Sequence, residues 1–260
     1  MDRKERIILN DILNGDKIFY RNISVDNVIF GYHERELKVL LFKNAAQERW
    51  LLPGGYVKKD ETLEKAAHRV VRYRTNLKKL HLHQFFTFGN PDRNKNTHFT
   101  SELLSTITGQ EVTKDHWLLD SFISVAFFTL VDYYQVKPTG SFYIEECQWR
   151  VISNLPEMAF DHREIIDQAL LSLRFFSHVS PIGKEMLPEK FTIPELQSLY
   201  ETILGKKLDN RNFVKKMTNI GLIEKLDEKR NIGKHRSPFL YRFNQARYDA
   251  LAKGDEFIVF

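Results

Sequence analysis

The stretch from Pro53 to Leu77, PGGYVKKDETLEKAAHRVVRYRTNL, has the layout of a phosphate-handling motif. Two adjacent glycines permit a tight turn, and a helix is expected to begin just after it, at Thr62. Glu61 and Arg69 could pair across this turn and brace it. The acidic residues that such a site needs to hold a divalent cation are nevertheless missing, so the motif has the layout of a catalytic site without its chemistry.

Short strands and two helices are predicted to position this turn. Five stretches rich in β-branched and aromatic residues favour strands: VDNVIFGY, LKVLLFK, HQFFTF, ISVAFFTLVDY and EECQWRVI. Apolar spacing predicts one helix from Thr62 to about Asn76 and a second after Asp161, which has capping-box spacing to Glu164. The polar segment from Asn94 to His116 is predicted to be a surface excursion. This order of elements predicts an α+β sandwich.

The composition favours a cytoplasmic, soluble protein. The chain has 260 residues, enough for one large or two ordinary domains, and its single cysteine, Cys147, cannot form an internal disulfide. The N-terminal residues are too charged for a signal peptide. The longest apolar run, Phe122 to Val131, is far short of the roughly 18 residues that a membrane span needs, so no membrane partner is expected.

A change of composition divides the chain. The segment SHVSPIGKEMLPEKF has two prolines, a glycine and mixed charges without periodicity, which is typical of a linker. We therefore predict a first domain at residues 1–176, a linker at 177–190 and a second domain at 191–260.

The second domain has a different and basic pattern. A capped helix from Thr192 to Gly205 precedes a second helix that Asp209 caps and Gly221 ends, and a strand, a basic loop and another strand follow. Between Lys206 and Arg247 there are twelve Lys/Arg and four Asp/Glu, a local net charge of +8 against +5 for the whole chain. Such a segment favours a polyanionic partner, although a solvated basic surface is the alternative.

The motif at Pro53–Leu77 resembles the Nudix box. In that box a glycine is followed after five residues by Glu, and after seven more by Arg-Glu, an apolar residue, paired glutamates and a final glycine. Gly55, Glu61 and Arg69 match, and Val71 and Leu77 fill the two apolar positions. The strand order also fits the Nudix sandwich from about residue 20 to 176. The resemblance implies an α/β/α sandwich.

The match fails where the chemistry lies. In Nudix hydrolases the box glutamates hold a divalent metal against a diphosphate, but here Val70, Tyr73 and Arg74 occupy those positions. Valine offers Mg²⁺ no oxygen ligand, and loss of a general base alone typically costs ~10²–10⁴-fold in rate. We therefore predict that the protein is not an enzyme and that its pocket binds a ligand. The alternatives are a scaffold without a site, or a Nudix hydrolase acting on ADP-ribose or a nucleoside diphosphate sugar.

Six residues are candidates for lining the pocket because of their position alone. They are Asp26, Lys43, Gly54, Gly55, Tyr56 and Asp92. Each could instead be an ordinary surface or turn residue. His81 and His83 would lie on the same side of a strand, but no cysteine or paired acid lies near them in sequence. We predict neither a metal nor an organic cofactor.

The order helix, turn, helix, strand, basic loop, strand resembles the winged variant of the helix-turn-helix. In that class the second helix enters the major groove and the wing contacts an adjacent groove or the backbone. The predicted DNA-binding residues of the helix are Asn210, Arg211, Asn212, Lys215, Lys216 and Asn219. Those of the wing are Lys229, Arg230, Lys234, His235 and Arg236. Wings also mediate protein contacts, so an adaptor remains the alternative.

A degenerate Nudix domain followed by a winged helix resembles the Nudix-related transcriptional regulators. The segment NLPEMAFDHREII also resembles that family. The resemblance implies a homodimer that binds double-stranded operator DNA and releases it when a small effector binds. Effectors in the family are nucleotide metabolites such as ADP-ribose, or sugars. The chain is most similar in general character to the arabinose-responsive branch, and absence of the metal-holding glutamates also favours a neutral sugar such as L-arabinose. We therefore predict a sugar-responsive repressor, with an ADP-ribose-responsive regulator as the alternative.

Overall fold

A computed structural model describes residues 3–44, 49–77, 80–93, 100–136, 144–231 and 237–252. The elements of the first part of the chain are α1 (Arg3–Ile18), β1 (Phe19–His33), β2 (Glu36–Asn44), β3 (Gly54–Lys58), α2 (Leu63–Thr75), β4 (His83–Phe88), α3 (Ser101–Thr108), β5 (Ile123–Val131), β6 (Ile144–Val151) and α4 (His162–Val179). Those of the second part are α5 (Ile193–Leu204), α6 (Asn210–Asn219), β7 (Ile223–Lys229), β8 (Phe239–Phe243) and α7 (Gln245–Ala252).

Within the described residues, the first six strands form one sheet in the order β4-β5-β1-β2-β6, and β3 pairs with β1. The β1–β3 pairing is antiparallel and places Val25 opposite Gly55 and Asp26 opposite Gly54. Successive side chains along a strand point to opposite faces, so Val25 and Asp26 face different layers. Val25 packs in an apolar cluster with residues of α2, which covers that face. Asp26 faces the opposite layer, where α4 begins.

Helix α2 confirms the sequence prediction at both ends. Thr62 is its N-cap, and the Thr62 Oγ1 accepts a hydrogen bond from the Lys65 amide. Asn76 ends the helix in the left-handed conformation, with φ of 59°. Both signals act within one turn of the helix, which is why they could be identified in the sequence.

Three helices were not predicted from the sequence: α7, which follows the second hairpin, and α1 and α3 in the first part of the chain. Helix α1 is kinked at Asn14, and its Ile12 carbonyl accepts a hydrogen bond from the Trp117 indole. Helix α3 lies inside the predicted surface excursion, where Leu104 is fully buried against Trp117. The predicted surface excursion at Asn94–His116 therefore contains a short, weakly periodic helix, which long-range packing against Trp117 stabilises.

Helix α4 begins where predicted, but its cap is different. The Asp161 Oδ1 accepts a hydrogen bond from Arg93, and its buried Oδ2 has no partner among the described residues. The predicted capping box of Asp161 and Glu164 is therefore wrong, because a tertiary ion pair takes the carboxylate. The helix continues to Val179, beyond the predicted domain end at residue 176.

The second part of the chain folds as predicted into a helix-turn-helix and a hairpin. The apolar residues Leu196, Leu199, Tyr200 and Ile203 of α5 are buried. They share a core with Phe213 and Met217 of α6, and the rings of Tyr200 and Phe213 lie 5.5 Å apart. Strands β7 and β8 pair antiparallel.

The chain divides into two compact units. The first comprises Met1–Phe30, Val39–Thr129 and Gln135–Ala169, and the second comprises Gly31–Lys38, Leu130–Tyr134 and Leu170–Phe260. The tip of the β1–β2 hairpin therefore belongs to the second unit. None of the described helices combines the length and apolar character that crossing a membrane requires.

Candidate ligand site and nucleic-acid interface

The turn between β3 and α2 is braced as its residue types predict. The Arg69 Nε donates to Glu61 Oε2 at 3.0 Å, and Arg69 Nη2 donates to the Tyr56 carbonyl at 2.7 Å. The Lys58 amide donates to Glu61 Oε1 at 2.8 Å. Partial burial opposes ionisation, but hydrogen bonds from Arg69 and the Lys58 amide prevail and lower the pKa of Glu61. The bidentate ion pair of Arg69 and Glu61 thus holds the Nudix-like turn in place.

The residues at the positions of the missing box glutamates make apolar and cation–π contacts instead. Val70 belongs to the apolar cluster of Val25, and a Cβ on Gly55 would lie 2.7 Å from the Val70 Cγ2. The Arg74 guanidinium lies 5.4 Å from the Phe42 ring centroid, and burial lowers the pKa of Arg74. Among the described residues, no group of three or more His, Cys, Asp or Glu side chains could hold a metal. These residues do not fit the divalent metal of Nudix hydrolases.

The structure brings some of the predicted ligand residues together. Asp26 and Gly54 are paired, and a Cβ on Gly54 would lie 2.4 Å from the Asp26 Oδ1, so a larger residue at position 54 would displace the Asp26 carboxylate. Tyr56 lies two residues further along β3, and burial followed by the charge of Asp26 raises its pKa. Lys43 is half-buried near the end of β2, and Asp92 is exposed in the turn after β4. A ligand role for these residues and for Gly55 stays a prediction.

A buried polar network surrounds Asp26, and the sequence did not indicate it. Arg93 Nη2 lies 2.7 Å from the Asp161 Oδ1 and 3.5 Å from the Asp26 Oδ2. Arg93 Nη1 donates to the Phe122 carbonyl at 3.0 Å. The Ser124 hydroxyl donates to Asp26 Oδ2. The only indication in the sequence was that Arg93 directly follows Asp92, a residue predicted to line the pocket.

His162 completes this network in its neutral form. Its Nδ1 accepts a hydrogen bond from the Leu52 amide at 2.9 Å, so the ring proton resides on Nε2, which lies 3.5 Å from Asp26 Oδ1. Burial lowers the pKa of His162, and the charges of Asp26 and Asp161 only partly oppose that effect. The imidazole therefore positions Asp26 without adding charge.

The helix-turn-helix is fixed by local capping and by one carboxylate. Glu195 accepts a hydrogen bond from the Thr192 amide, and the Asp209 side chain accepts one from the Asn212 amide. In the turn, Glu201 accepts hydrogen bonds from the Leu208 amide, Lys207 and Gln197, which lower its pKa to about 2. The turn therefore stays locked at any pH near neutrality.

The outward side of α6 carries the residues predicted to contact DNA. Lys216 is half-buried, and burial lowers its pKa. The Asn210 amide donates to Gln197 Oε1 at 2.8 Å, which fixes its orientation. The exposed residues of this side are Asn210, Arg211, Asn212, Lys215 and Asn219. Their polar and basic character matches what contact with base edges and phosphates requires.

The wing is described only in part. Lys234, His235 and Arg236 lie outside the described residues. The Arg230 guanidinium forms an ion pair with Glu195 and donates to the Lys190 carbonyl at 2.9 Å, so it braces the base of the wing. Lys225, which the sequence did not single out, and Lys229 both lie over the Phe239 ring. DNA contact by Lys229 and Arg230 stays a prediction.

An α/β/α sandwich with a degenerate Nudix box, followed by a winged helix-turn-helix, defines a class of regulator built on a Nudix fold. The chain belongs to the Nudix family: the model of the NUDIX domain matches residues 21–169. The model described as the NrtR DNA-binding winged helix domain matches residues 183–243. The resemblance to Nudix-related transcriptional regulators is thereby confirmed.

Individual relatives agree with this assignment. The chain is 29% identical over 236 residues to the ADPR responsive transcriptional repressor NtrR of Acinetobacter baylyi, covering 87% of this chain and 84% of that protein. It is similar to the crystal structure of Shewanella oneidensis NrtR complexed with a 27mer DNA, with a TM-score of 0.67, 26% identity, and coverage of 88% and 96% of the two chains. A MutT/nudix family protein from Enterococcus faecalis has the same fold, with a TM-score of 0.61, 19% identity, and coverage of 94% and 99%. None of these relatives supports the predicted arabinose-responsive branch.

Replacing Arg93 by Met should strongly destabilise the protein. The substitution leaves Asp26 and Asp161 buried without a cation, which typically costs about 3–5 kcal/mol of the free energy of unfolding. Urea unfolding followed by circular dichroism measures this loss. Arg163→Met is the matched control, because its partner Asp167 is exposed and such pairs contribute about 0–1 kcal/mol. Equal losses in the two variants would contradict the assigned role of Arg93.

His162 should make stability depend on pH. The folded pKa of His162 is lowered, so the unfolded chain, with an ordinary pKa of about 6.5, binds a proton before the folded protein does. The free energy of unfolding should therefore fall as the pH drops below about 6.5, and His162→Gln should remove that part of the slope. Urea titrations between pH 5 and 8 measure both slopes. Identical slopes would show that His162 is not the titrating group.

Proposed function

We propose that the protein is a transcriptional repressor that binds operator DNA through its winged helix and releases it when ADP-ribose binds the Nudix domain. The observation that carries this proposal is the similarity to the ADPR responsive repressor of Acinetobacter baylyi, which extends over more of the chain than either domain alone. This effector replaces the sugar predicted from the sequence. Action on DNA implies a cytoplasmic protein.

The chemistry of the degenerate box supports an anionic effector. Glutamates without a bound metal would repel the diphosphate of ADP-ribose. Val70 removes one such charge, and Arg74 places a cation beside Phe42. The missing glutamates therefore do not by themselves favour a neutral sugar over an anion, because the loss of metal ligands also removes repulsion.

The same substitutions support binding without hydrolysis. Metal-assisted attack on a diphosphate needs oxygen ligands to hold the cation. Val70 lies in an apolar cluster, and Arg74 brings positive charge to the position of another ligand. We propose that the Nudix domain keeps its braced turn and its fold as a ligand site and does not turn over the effector.

The proposed mechanism is a population shift in a homodimer. Two winged helices would place their α6 helices on successive half-sites, so the spacing between them decides the affinity for the operator. The effector can only shift the conformational equilibrium by its difference in affinity for the two states. If the effector bound the released state ~10⁴-fold more tightly than the DNA-bound state, it would shift the population from almost fully bound to almost fully released.

Effector specificity is tested by release of DNA. Full-length protein bound to a labelled duplex from the region beside its own gene should lose fluorescence anisotropy when ADP-ribose is added at fixed salt. L-arabinose and AMP, titrated in parallel, should leave the complex intact. The physical reason is that only a ligand with differential affinity for the two states shifts the equilibrium.

Three other outcomes have distinct meanings. Release by arabinose alone would restore the sugar prediction. Formation of AMP from ADP-ribose in the presence of Mg²⁺ would show an active hydrolase. Absence of DNA binding at low salt would overturn the repressor assignment and leave the adaptor.

Two substitutions on α6 should separate phosphate contact from base contact. Lys216→Ala should weaken binding to all duplexes alike and reduce the slope of log K against log salt by about 1. Arg211→Ala should cost about 1–3 kcal/mol on the operator and relax the preference at one base pair. Lys65→Ala, on the exposed side of α2, is the matched control. Equal, sequence-independent losses in both variants would exclude Arg211 as a base contact.

A further inference from the structure

A cleft of about 500 Å³ lies in the second unit at the turn of the helix-turn-helix. Three cations line it, Arg35 from the hairpin tip and Lys206 and Lys207 from the turn, together with Gln197, Glu201 and Asn210. The cations outnumber Glu201 by two charges. The cleft is therefore suited to an anion.

Two hydrogen bonds fix the hairpin tip beside this cleft. The Tyr32 hydroxyl donates to the Ser198 hydroxyl at 3.0 Å, and the Thr202 hydroxyl shares its one proton between the Ser198 carbonyl at 2.7 Å and the Arg35 carbonyl at 3.2 Å. Ser198 and Thr202 are four residues apart on α5 and so share one side of that helix. The hairpin tip is thus held along the first helix of the DNA-binding fold.

The turn that presents Arg35 has an unusual backbone. Glu34 and Arg35 both have positive φ angles, 55° and 61°. A tight two-residue hairpin requires this conformation, and glycine or asparagine normally supplies it. A non-glycine residue there costs free energy, so an arginine at this position indicates a role for its side chain.

The acidic groups near the cations are already engaged. Lys38 pairs with Glu34 and Glu36 at 3.9 and 3.6 Å. Glu201 accepts hydrogen bonds from the Leu208 amide at 3.0 Å and from Lys207 at 2.8 Å. Arg35 is exposed and has no ion-pair partner among the described residues. Arg35 and the exposed Lys206 are therefore available to an external anion.

The cleft is continuous with the predicted DNA surface. Asn210 lines the cleft and is also the first residue of α6, the helix proposed to enter the major groove. Phosphates flank the groove that such a helix occupies, and Arg and Lys are their usual partners. This continuity favours a DNA phosphate over a free nucleotide as the anion.

We propose that this cleft binds a backbone phosphate of the DNA, and that Arg35, carried by the β1–β2 hairpin, is a DNA contact additional to α6 and the wing. The inference rests on the proposed function, since it assigns a further part of the operator-binding surface. It makes the hairpin a third element that contacts the nucleic acid. The contact adds affinity without adding sequence preference.

The test is Arg35→Gly in the full-length chain, measured by anisotropy on the duplex from beside the gene and on a scrambled duplex between 50 and 300 mM salt. Glycine adopts positive φ without strain, so the variant should be at least as stable as the parent. Its affinity should fall about threefold to tenfold on both duplexes, and the salt slope should decrease by about 1. Arg35→Lys should retain most of the slope, and Arg72→Ala, on the exposed side of α2, should behave as the parent.

The outcomes separate this inference from the proposed function. An Arg35→Gly protein of unchanged or raised stability that keeps the parental affinity and salt slope would overturn the phosphate contact and leave only a turn residue. A parent chain that binds neither duplex would instead overturn the proposed function. Loss confined to the operator duplex would contradict a phosphate contact, because backbone phosphates are the same in both duplexes.

Discussion

The buried Arg93 guanidinium is the constraint on which the first unit depends. It contacts Asp26 on β1, Asp161 before α4 and the Phe122 carbonyl before β5. Because side chains alternate between the two faces of β1, Val25 lies in the apolar layer under α2 and Asp26 lies in this polar layer. Gly54 leaves room for the Asp26 carboxylate, so the charged network also determines where the Nudix-like turn can lie. The energetic importance of such a network appears mainly when one member is removed, because the remaining charges are then buried without a partner.

The Nudix-like turn keeps its braced shape although Val70, Tyr73 and Arg74 stand at the positions of the box glutamates. The Glu61–Arg69 pair supports the loop through backbone contacts at Tyr56 and Lys58. Those contacts need no metal, so the loop keeps its shape when the neighbouring carboxylates are replaced by Val70 and Arg74. What changes is the electrostatics: an apolar side chain and a cation replace anions that only a metal could have neutralised.

The second unit concentrates positive charge on a scaffold fixed by short-range hydrogen bonds. Capping at Thr192 and Asp209 and the Glu201 clamp hold α5, the turn and α6 in place. Arg230 also braces the base of the wing by pairing with Glu195. The hairpin tip adds Arg35 to the same unit. The basic surface is therefore composed of residues far apart in sequence.

The sequence by itself determined what depends on neighbouring residues. The caps at Thr62 and Asp209, the end of α5 at Gly205 and the degenerate box follow from groups within a few positions of one another. Only the tertiary structure decided the rest. Arg93 meets Asp161 across 68 residues, Arg230 pairs with Glu195 across 35 residues, and α1 is held by Trp117 across 105 residues. These pairings depend on the sheet bringing distant strands together, because a single sequence contains periodicity and local capping but not the identity of a distant partner.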